Sequence, residues 1–170
     1  MDRHDARDDQ PELAPAAVIT GATQGIGRAL AEEFAKHGHT LLLVARNEEA
    51  LAKTAREIAS AHDVPAHHAA CDLATPEGCD QLVEVLRTKG LYCESLVNNA
   101  AIMTAGFFQD QDREQLLKIV DLNVRAVVDL TRASCPTCWR ATKAASSTSL
   151  RWKGSCRCPI RRLTPPPRRS

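Results

Sequence analysis

Eight residues, Thr20 to Gly27, read TGATQGIG and place Gly21, Gly25 and Gly27 where an apolar run meets a helical pattern. Glycines at a strand-to-helix turn let the backbone bend sharply and approach a pyrophosphate, whose charge is favoured by the free N–H groups of the helix N-terminus. Thr23, Gln24 and Ile26 fall inside the same turn and are candidate contacts. Alone, the pattern also suits a tight βα turn that holds nothing. Three further groups come after later apolar runs. Arg46 comes after TLLLVA, where a cation can take an adenosine 2′-phosphate and an acid would instead favour the unphosphorylated ribose. Asp72 and Leu73 stand where an adenine would be flanked, and Asn98, Asn99 and Ala100 where the rest of a dinucleotide would be lined. A solvated charge explains Arg46 alone, and a turn acid explains Asp72 alone. Together the four groups point to a dinucleotide site.

The elements that must position these groups alternate strand and helix. AAVIT reads as a first strand and Ile26 to His37 as its helix, with Leu30 and Phe34 on one face and Gly38 as the stop. TLLLVAR is a buried second strand, followed by an Asn47-capped helix in which Leu51, Ala55 and Ile58 recur at helical spacing. AHHAACDL is a weaker third strand, and Thr75 and Pro76 are the N-cap and first-turn proline of a helix carrying Leu82, Val85 and Leu86. SLVNNA reads as a fourth strand. Asp112 to Ala133 is expected to form one long helix through Leu116, Ile119, Val120, Asn123, Val127 and Leu130. Strands alternating with helices specify an α/β fold with a doubly wound parallel sheet, here with about four strands. The chain divides into three sections: residues 1–15 as a polar, disordered tail, 16–133 as a partial dinucleotide-binding domain, and 134–170 as a basic Cys/Pro/Arg-rich tail, also expected to be disordered.

TGATQGIG, CDL, NNAA and DLNV, in that order and spacing, resemble the motifs of the short-chain dehydrogenase/reductase family over about Ala16 to Ala133. The resemblance implies a Rossmann-type sheet, a nicotinamide dinucleotide, and hydride transfer to or from a carbonyl or alcohol carbon of a small molecule. With Arg46 after the second strand, NADP(H) is expected over NAD(H). It also implies that Asn123 is the helix asparagine holding a water in the family's proton relay, and that the intact protein can form a homo-oligomer through the helix from Asp112.

One departure from the family is mild: Ala101 stands where glycine is usual. The other removes the chemistry. Family members continue into a fifth strand ending in a catalytic serine and then a Tyr-x-x-x-Lys pair, whose tyrosine is the general acid/base. A phenol of pKa about 10 does this near neutrality only beside a cation that favours its ionised form. The chain has one tyrosine, Tyr92, expected to precede the fourth strand. WRATKAA mimics the missing segment with Trp139 for tyrosine and Lys143 four residues on, but an indole offers no titratable proton.

Charge divides the chain at the same place. Residues 134–170 carry nine of the 22 Lys and Arg, no acid, and four of the seven cysteines. Read one nucleotide out of register, as if a base were lost at the Ala133/Ser134 junction, SCPTCW becomes compatible with Phe-Leu-Pro-Asp-Met-Leu. The places of Ala145 to Arg151 then admit Arg-Ile-Ile-Asn-Val-Ala-Ser, a fifth strand with its serine. Those of Thr164 to Arg168 admit Tyr-Ala-Ala-Thr-Lys. The third base of most codons is free, so the restored residues are permitted rather than required. The expectation is a frameshifted, truncated member of the family that is catalytically inactive as written.

Alternatives give the tail or the nucleotide site a role of its own. Cys135-x-x-Cys138 with Cys156-x-Cys158 resembles a four-thiolate zinc set, although the second pair is too close for the usual knuckle, and no metal is expected. A basic tail with Trp139 and Trp152 could bind nucleic acid, but no recognisable nucleic-acid fold accompanies it. A non-catalytic nucleotide-binding or partner-binding module is the remaining alternative. With 44% hydrophobic and 25% charged residues, no long apolar run and no apolar leader core, a cytoplasmic protein without a membrane segment is expected.

Overall fold

β1 (Ala14–Thr20) is buried from Ala16 to Thr20, and it pairs in parallel with a strand on each side. The computed structural model describes residues 13–134; residues 1–12 and 135–170, with the tail readings that fall on them, lie outside the described residues. Burial on both faces is why AAVIT carries no polar alternation, as in other parallel sheets covered by helices on each side. The partners are β2 (Leu41–Ala45), which pairs in turn with β3 (Ala66–Ala70), and β4 (Leu91–Val97). The order is β3-β2-β1-β4, all parallel.

Side chains alternate along the strands, so the helices divide between two cores. Ala17, Ile19, Leu41 and Leu43 pack against α1 (Gly25–Lys36) and α2 (Glu48–His62) through Ala31, Ala35, Leu51 and Ile58. Val18, Leu42 and Val44 face the other way, onto Cys79, Leu82 and Leu86 of α3 (Pro76–Thr88) and onto Ala126 and Leu130 of the last helix. Each Leu or Ile so enclosed contributes about 1.5–3 kcal/mol relative to leaving it in water. The caps expected at two helices form: Asn47 accepts from Ala50 N at 3.0 Å and Thr75 Oγ1 from Gly78 N at 3.0 Å.

Several boundaries differ from those expected. β1 starts at Ala14, inside the section expected to be a tail, because Ala14 N donates to Gly90 O at 2.8 Å and Pro15 stands opposite Tyr92. Tyr92 is thus the second residue of β4 rather than a residue before it. The apolar rhythm of β4 is hidden by a register shift: Ala16 stands opposite Cys93 and Ala17 opposite Ser95, so Glu94 is the extra residue of a bulge. β3 ends at Ala70 and β4 at Val97, which leaves Cys71–Leu73 and Asn98–Ala100 in the loops beyond.

The expected single helix from Asp112 has three parts. Asp112 caps α4 (Arg113–Val120), accepting from Gln115 N at 3.3 Å. Asp121–Arg125 form a π-helical turn closed by Ala126 N onto Asp121 O, and helix resumes over residues 126–134. Leu117, Val120, Val124 and Val128 form an exposed apolar stripe along this unit.

Candidate functional site

The chain runs from β1 outward to β2 and β3, then crosses back to place β4 on the other side of β1. The connections that leave the paired ends of β1 and β4 therefore lead to helices on opposite faces of the sheet, at the point where open α/β sheets leave a crevice. There, an open cleft of about 680 Å³ is lined by Gly21, Thr23, Gln24 and Gly25 on one wall and Asn99 to Ile102 on another. Arg46, Asp72, Leu73, Cys71 and Leu122 are among the residues around the rest of it.

Thr20 ties the first two walls together. Its hydroxyl donates to Val97 O at 3.1 Å and accepts from Asn99 N at 2.9 Å and Ala100 N at 3.0 Å. Asn99 Nδ2 donates to Thr20 O at 3.0 Å and Gly21 O at 3.2 Å, so its amide protons brace the glycine turn. Gly21 sits at φ +67°, and a Cβ there would lie 2.9 Å from Asn99 Nδ2 and 3.0 Å from Ala100 Cα. Only glycine meets both conditions.

Behind this turn α1 begins without a side-chain cap and with no acid in its first turn. α2, α3 and α4 each have a capping side chain and an acid there. The first N–H groups of α1 and its partial positive charge are therefore left for an anion at the glycine turn. Arg46 adds an exposed guanidinium at the end of β2, with no hydrogen bond or ion pair among the described residues. On the third wall Asp72 Oδ1 accepts from Ala74 N at 3.1 Å, while Leu73 is buried. This donor set fits a dinucleotide: a phosphate seat, a cation beside it, and a wall that is polar at Asp72 and apolar at Leu73.

Of the expected contacts, Gly21, Thr23, Gln24, Gly25, Arg46, Asp72, Leu73, Asn99 and Ala100 come together on this cleft, whereas Ile26 and Gly27 do not line it. Ile26 is exposed, and Gly27 is buried against Gly21 O and Asn99 Nδ2, where it permits the close approach of α1. Asn98 turns away, its Nδ2 meeting Thr131 Oγ1 at 3.4 Å. Asn123 is not in the lining either. Its Nδ2 donates to Ile102 O at 2.9 Å and its Oδ1 accepts from Ile102 N at 3.0 Å, so both ends of the amide hold the loop after β4.

Sequence reasoning missed Thr20, Cys71, Ile102 and Leu122. Thr20 was legible as part of the glycine motif, but its role depends on β4 arriving beside β1. Burial, with a smaller contribution from Cys79, pushes the Cys71 thiol up to about 11, which makes it a poor nucleophile at neutral pH. Tyr92 lies at the amino end of β4, five residues and roughly 16 Å from the strand end that borders the cleft. No cluster of metal-ligating side chains occurs among the described residues, and Cys135, Cys138, Cys156 and Cys158 lie outside them.

Residues 15–146 match the family model described as short chain dehydrogenase, a stretch that runs past Ala133 and so beyond the motifs recognised in the sequence. Sulfoacetaldehyde reductase 2 of Chromohalobacter salexigens is 32% identical over 81% of this chain and 54% of its own length. The very-long-chain 3-oxoacyl-CoA reductase of Homo sapiens is 31% identical over 79% of this chain and 44% of its own. The chain thus spans about half the length of these curated relatives. L-sorbose reductase of Gluconobacter frateurii, solved with NADPH and L-sorbose, superposes with a TM-score of 0.70 at 36% identity, over 76% of this chain and 50% of the other. A short-chain dehydrogenase of Sphingobium yanoikuyae, solved with NADPH, does so at 0.67 and 32%, over 76% and 50%. A glycine turn braced by Asn99, a cleft at the sheet's crossover and a family match over most of the chain agree, and the chain belongs to the short-chain dehydrogenase family.

Proposed function

We propose that this chain is the cofactor-holding part of an NADP(H)-preferring oxidoreductase whose intact form acts on a small carbonyl or alcohol compound. The observation that carries this reading is the uncapped, acid-free N-terminus of α1 behind a left-handed Gly21. Gly21 to Gly25 would hold the pyrophosphate, Arg46 the 2′-phosphate, Asp72 and Leu73 the adenine side, and Asn99 and Ala100 would border the remainder. A nicotinamide bound there supplies or accepts a hydride. The proton is a separate matter, because among the described residues the cleft lining offers Asp72, Arg46 and a neutral Cys71 and no phenol or lysine.

The same reading makes the 170-residue chain a binder without turnover. No Tyr-x-x-x-Lys occurs in it, and the segment after Ala133 is consistent with a shifted reading frame. A cytoplasmic location and self-association through the exposed apolar stripe from Leu117 to Val128 belong to this proposal; among the described residues no helix is long and apolar enough to cross a membrane.

Calorimetric titration of the full chain with NADPH and NADH tests it. NADPH is expected to bind more tightly, and Arg46→Asp to weaken NADPH by roughly ten- to a hundredfold while affecting NADH less. Absence of binding at millimolar concentration would remove the cofactor reading, and equal affinities would remove the preference. Oxidation of NADPH by the chain with any carbonyl compound would remove the claim of inactivity.

A further inference from the structure

We infer that Arg125 is a positioning residue for the cofactor cleft: from the π-helical turn it holds the adenine-side loop at the spacing a dinucleotide needs. The inference rests on the cofactor reading above.

Arg125 uses three nitrogens on three partners. Nε donates to Asp121 Oδ1 at 3.0 Å and Nη1 to Asp129 Oδ2 at 3.2 Å, each four residues away on its own helical unit. Nη2 donates to Ala74 O at 2.6 Å, fifty-one residues away in sequence, in the loop after β3. An exposed i,i+4 pair on one helix contributes little by itself. Here the two carboxylates fix the plane of the guanidinium, so its third nitrogen is aimed at a carbonyl of another element, which the rigid fork of arginine permits and a lysine does not.

The loop it reaches forms the adenine side of the cleft. Asp72 and Leu73 line that wall, and the rest of the loop is occupied with its own turn: Asp72 O accepts from Thr75 N at 3.1 Å and Thr75 Oγ1 at 3.0 Å. Leu73 O faces Cys79 Sγ at 3.8 Å, a long contact from α3. Arg125 therefore makes the short, charge-assisted bond between this wall and the helix opposite.

The same turn holds the facing wall. Asn123, two residues earlier, clamps Ile102 through both ends of its amide, and Leu122, the residue before it, lines the cleft. A π turn inserts one residue relative to an α-helix and so rotates the helical segment beyond it, and such turns are frequent at functional sites. In this position Asn123 grips the loop after β4 while Arg125 grips the loop after β3, and the separation of the two walls is set by one five-residue turn.

The test uses the full 170-residue chain with Arg125→Met, Arg125→Lys and Asp129→Asn. Affinities for NADPH and 2′,5′-ADP are read by calorimetry, and amide hydrogen exchange over residues 72–78 is read without ligand. Arg125→Met is expected to weaken both ligands about tenfold and to speed exchange in that loop. Arg125→Lys keeps the charge but has a single nitrogen to divide among Asp121, Asp129 and Ala74 O, so its affinity and loop exchange should fall between those of the wild type and Arg125→Met. Asp129→Asn removes one of the two charges that steady the guanidinium but leaves an acceptor for Nη1 and the bond to Ala74 O in reach, so its loss of affinity should be clearly smaller than that of Arg125→Met. Wild-type affinity and unchanged loop exchange in Arg125→Met would overturn the inference, as would equal losses in Asp129→Asn and Arg125→Met. Should Arg125→Met fail to fold, the lysine variant decides by the same two readouts. Failure of the wild-type chain to bind either ligand would remove the cofactor reading, and with it the cleft-setting role; the exchange experiment would still show whether Arg125 holds the loop.

Discussion

The hydroxyl of Thr20 accepts the main-chain N–H of Asn99 at 2.9 Å, joining the end of β1 to the loop after β4 at the base of the cleft. The same oxygen accepts from Ala100 N and donates to Val97 O, and Thr20 is only 1% exposed. Thr20→Val keeps the shape and strips all three bonds. Each polar group left without a partner in a buried site costs about 1–3 kcal/mol, so with partial access to water a loss of about 2–4 kcal/mol is expected. Thr20→Ser keeps the hydroxyl and loses one methyl, about 1 kcal/mol. Urea unfolding of the two variants checks this, and similar midpoints for Val and Ser would mean the hydroxyl contributes nothing.

Gly27 acts on the cleft without lining it. An added Cβ would run into Gly21 O and lie 2.5 Å from Asn99 Nδ2, so Gly27→Ala must push α1 away from the glycine turn. Gly38→Ala is the control: its φ of +77° makes alanine strained there, about 1–2 kcal/mol, but nothing lies within 4 Å and the cleft is untouched. Both variants should lose stability, and only Gly27→Ala should bind NADPH more weakly, by about tenfold or more. Unchanged affinity in Gly27→Ala would show that the turn is not what holds the pyrophosphate.

These two positions also mark what the sequence makes legible. Cap residues and helix faces are local, so Asn47, Thr75 and the apolar positions of α2 and α3 could be placed from residue type and spacing. The start of β4 could not, since a bulge at Glu94 breaks the two-residue rhythm and Pro15 disguises the start of its partner. Asn98 and Asn99 are alike in the sequence, yet one meets Thr131 and the other braces Gly21, because successive residues leaving a strand point to opposite sides. The π turn is one residue of extra winding within an otherwise helical pattern. Its consequences for Asn123 and Arg125 exist only once the loops after β3 and β4 are in place.

Cys71 makes the protein's stability fall in alkali. Burial raises its thiol from the ordinary 9.0 to about 11 in the folded chain, so between those values the unfolded chain has released a proton that the folded chain retains. The unfolded state then binds fewer protons, and stability decreases as pH rises through that window and levels off above it. A loss of order 1–2 kcal/mol is expected between pH 8.5 and about 11. Urea midpoints across that range should fall more steeply for the wild-type chain than for Cys71→Ala. Parallel slopes would show that the thiol titrates normally.

Residues 134–170 lack acids and are rich in cysteine and arginine, in contrast with everything before them. If one base is missing at the Ala133/Ser134 junction, adding it back should produce a chain in which a serine, a tyrosine and a lysine stand at the places of Arg151, Thr164 and Arg168. Residues 13–133 would be unchanged, so NADPH affinity should stay within a few-fold of that of the 170-residue chain, provided the cleft alone sets it. Turnover should behave differently, because a tyrosine beside a lysine supplies a proton-transferring group that the described residues of the cleft lining do not. NADPH oxidation with a panel of small carbonyl compounds is therefore expected from the restored chain and not from this one. Resequencing the source DNA across the junction then decides which of the two the gene encodes. A restored chain that folds, binds NADPH and still turns over nothing in the panel would count against the shifted-frame reading, and activity in the 170-residue chain would refute it.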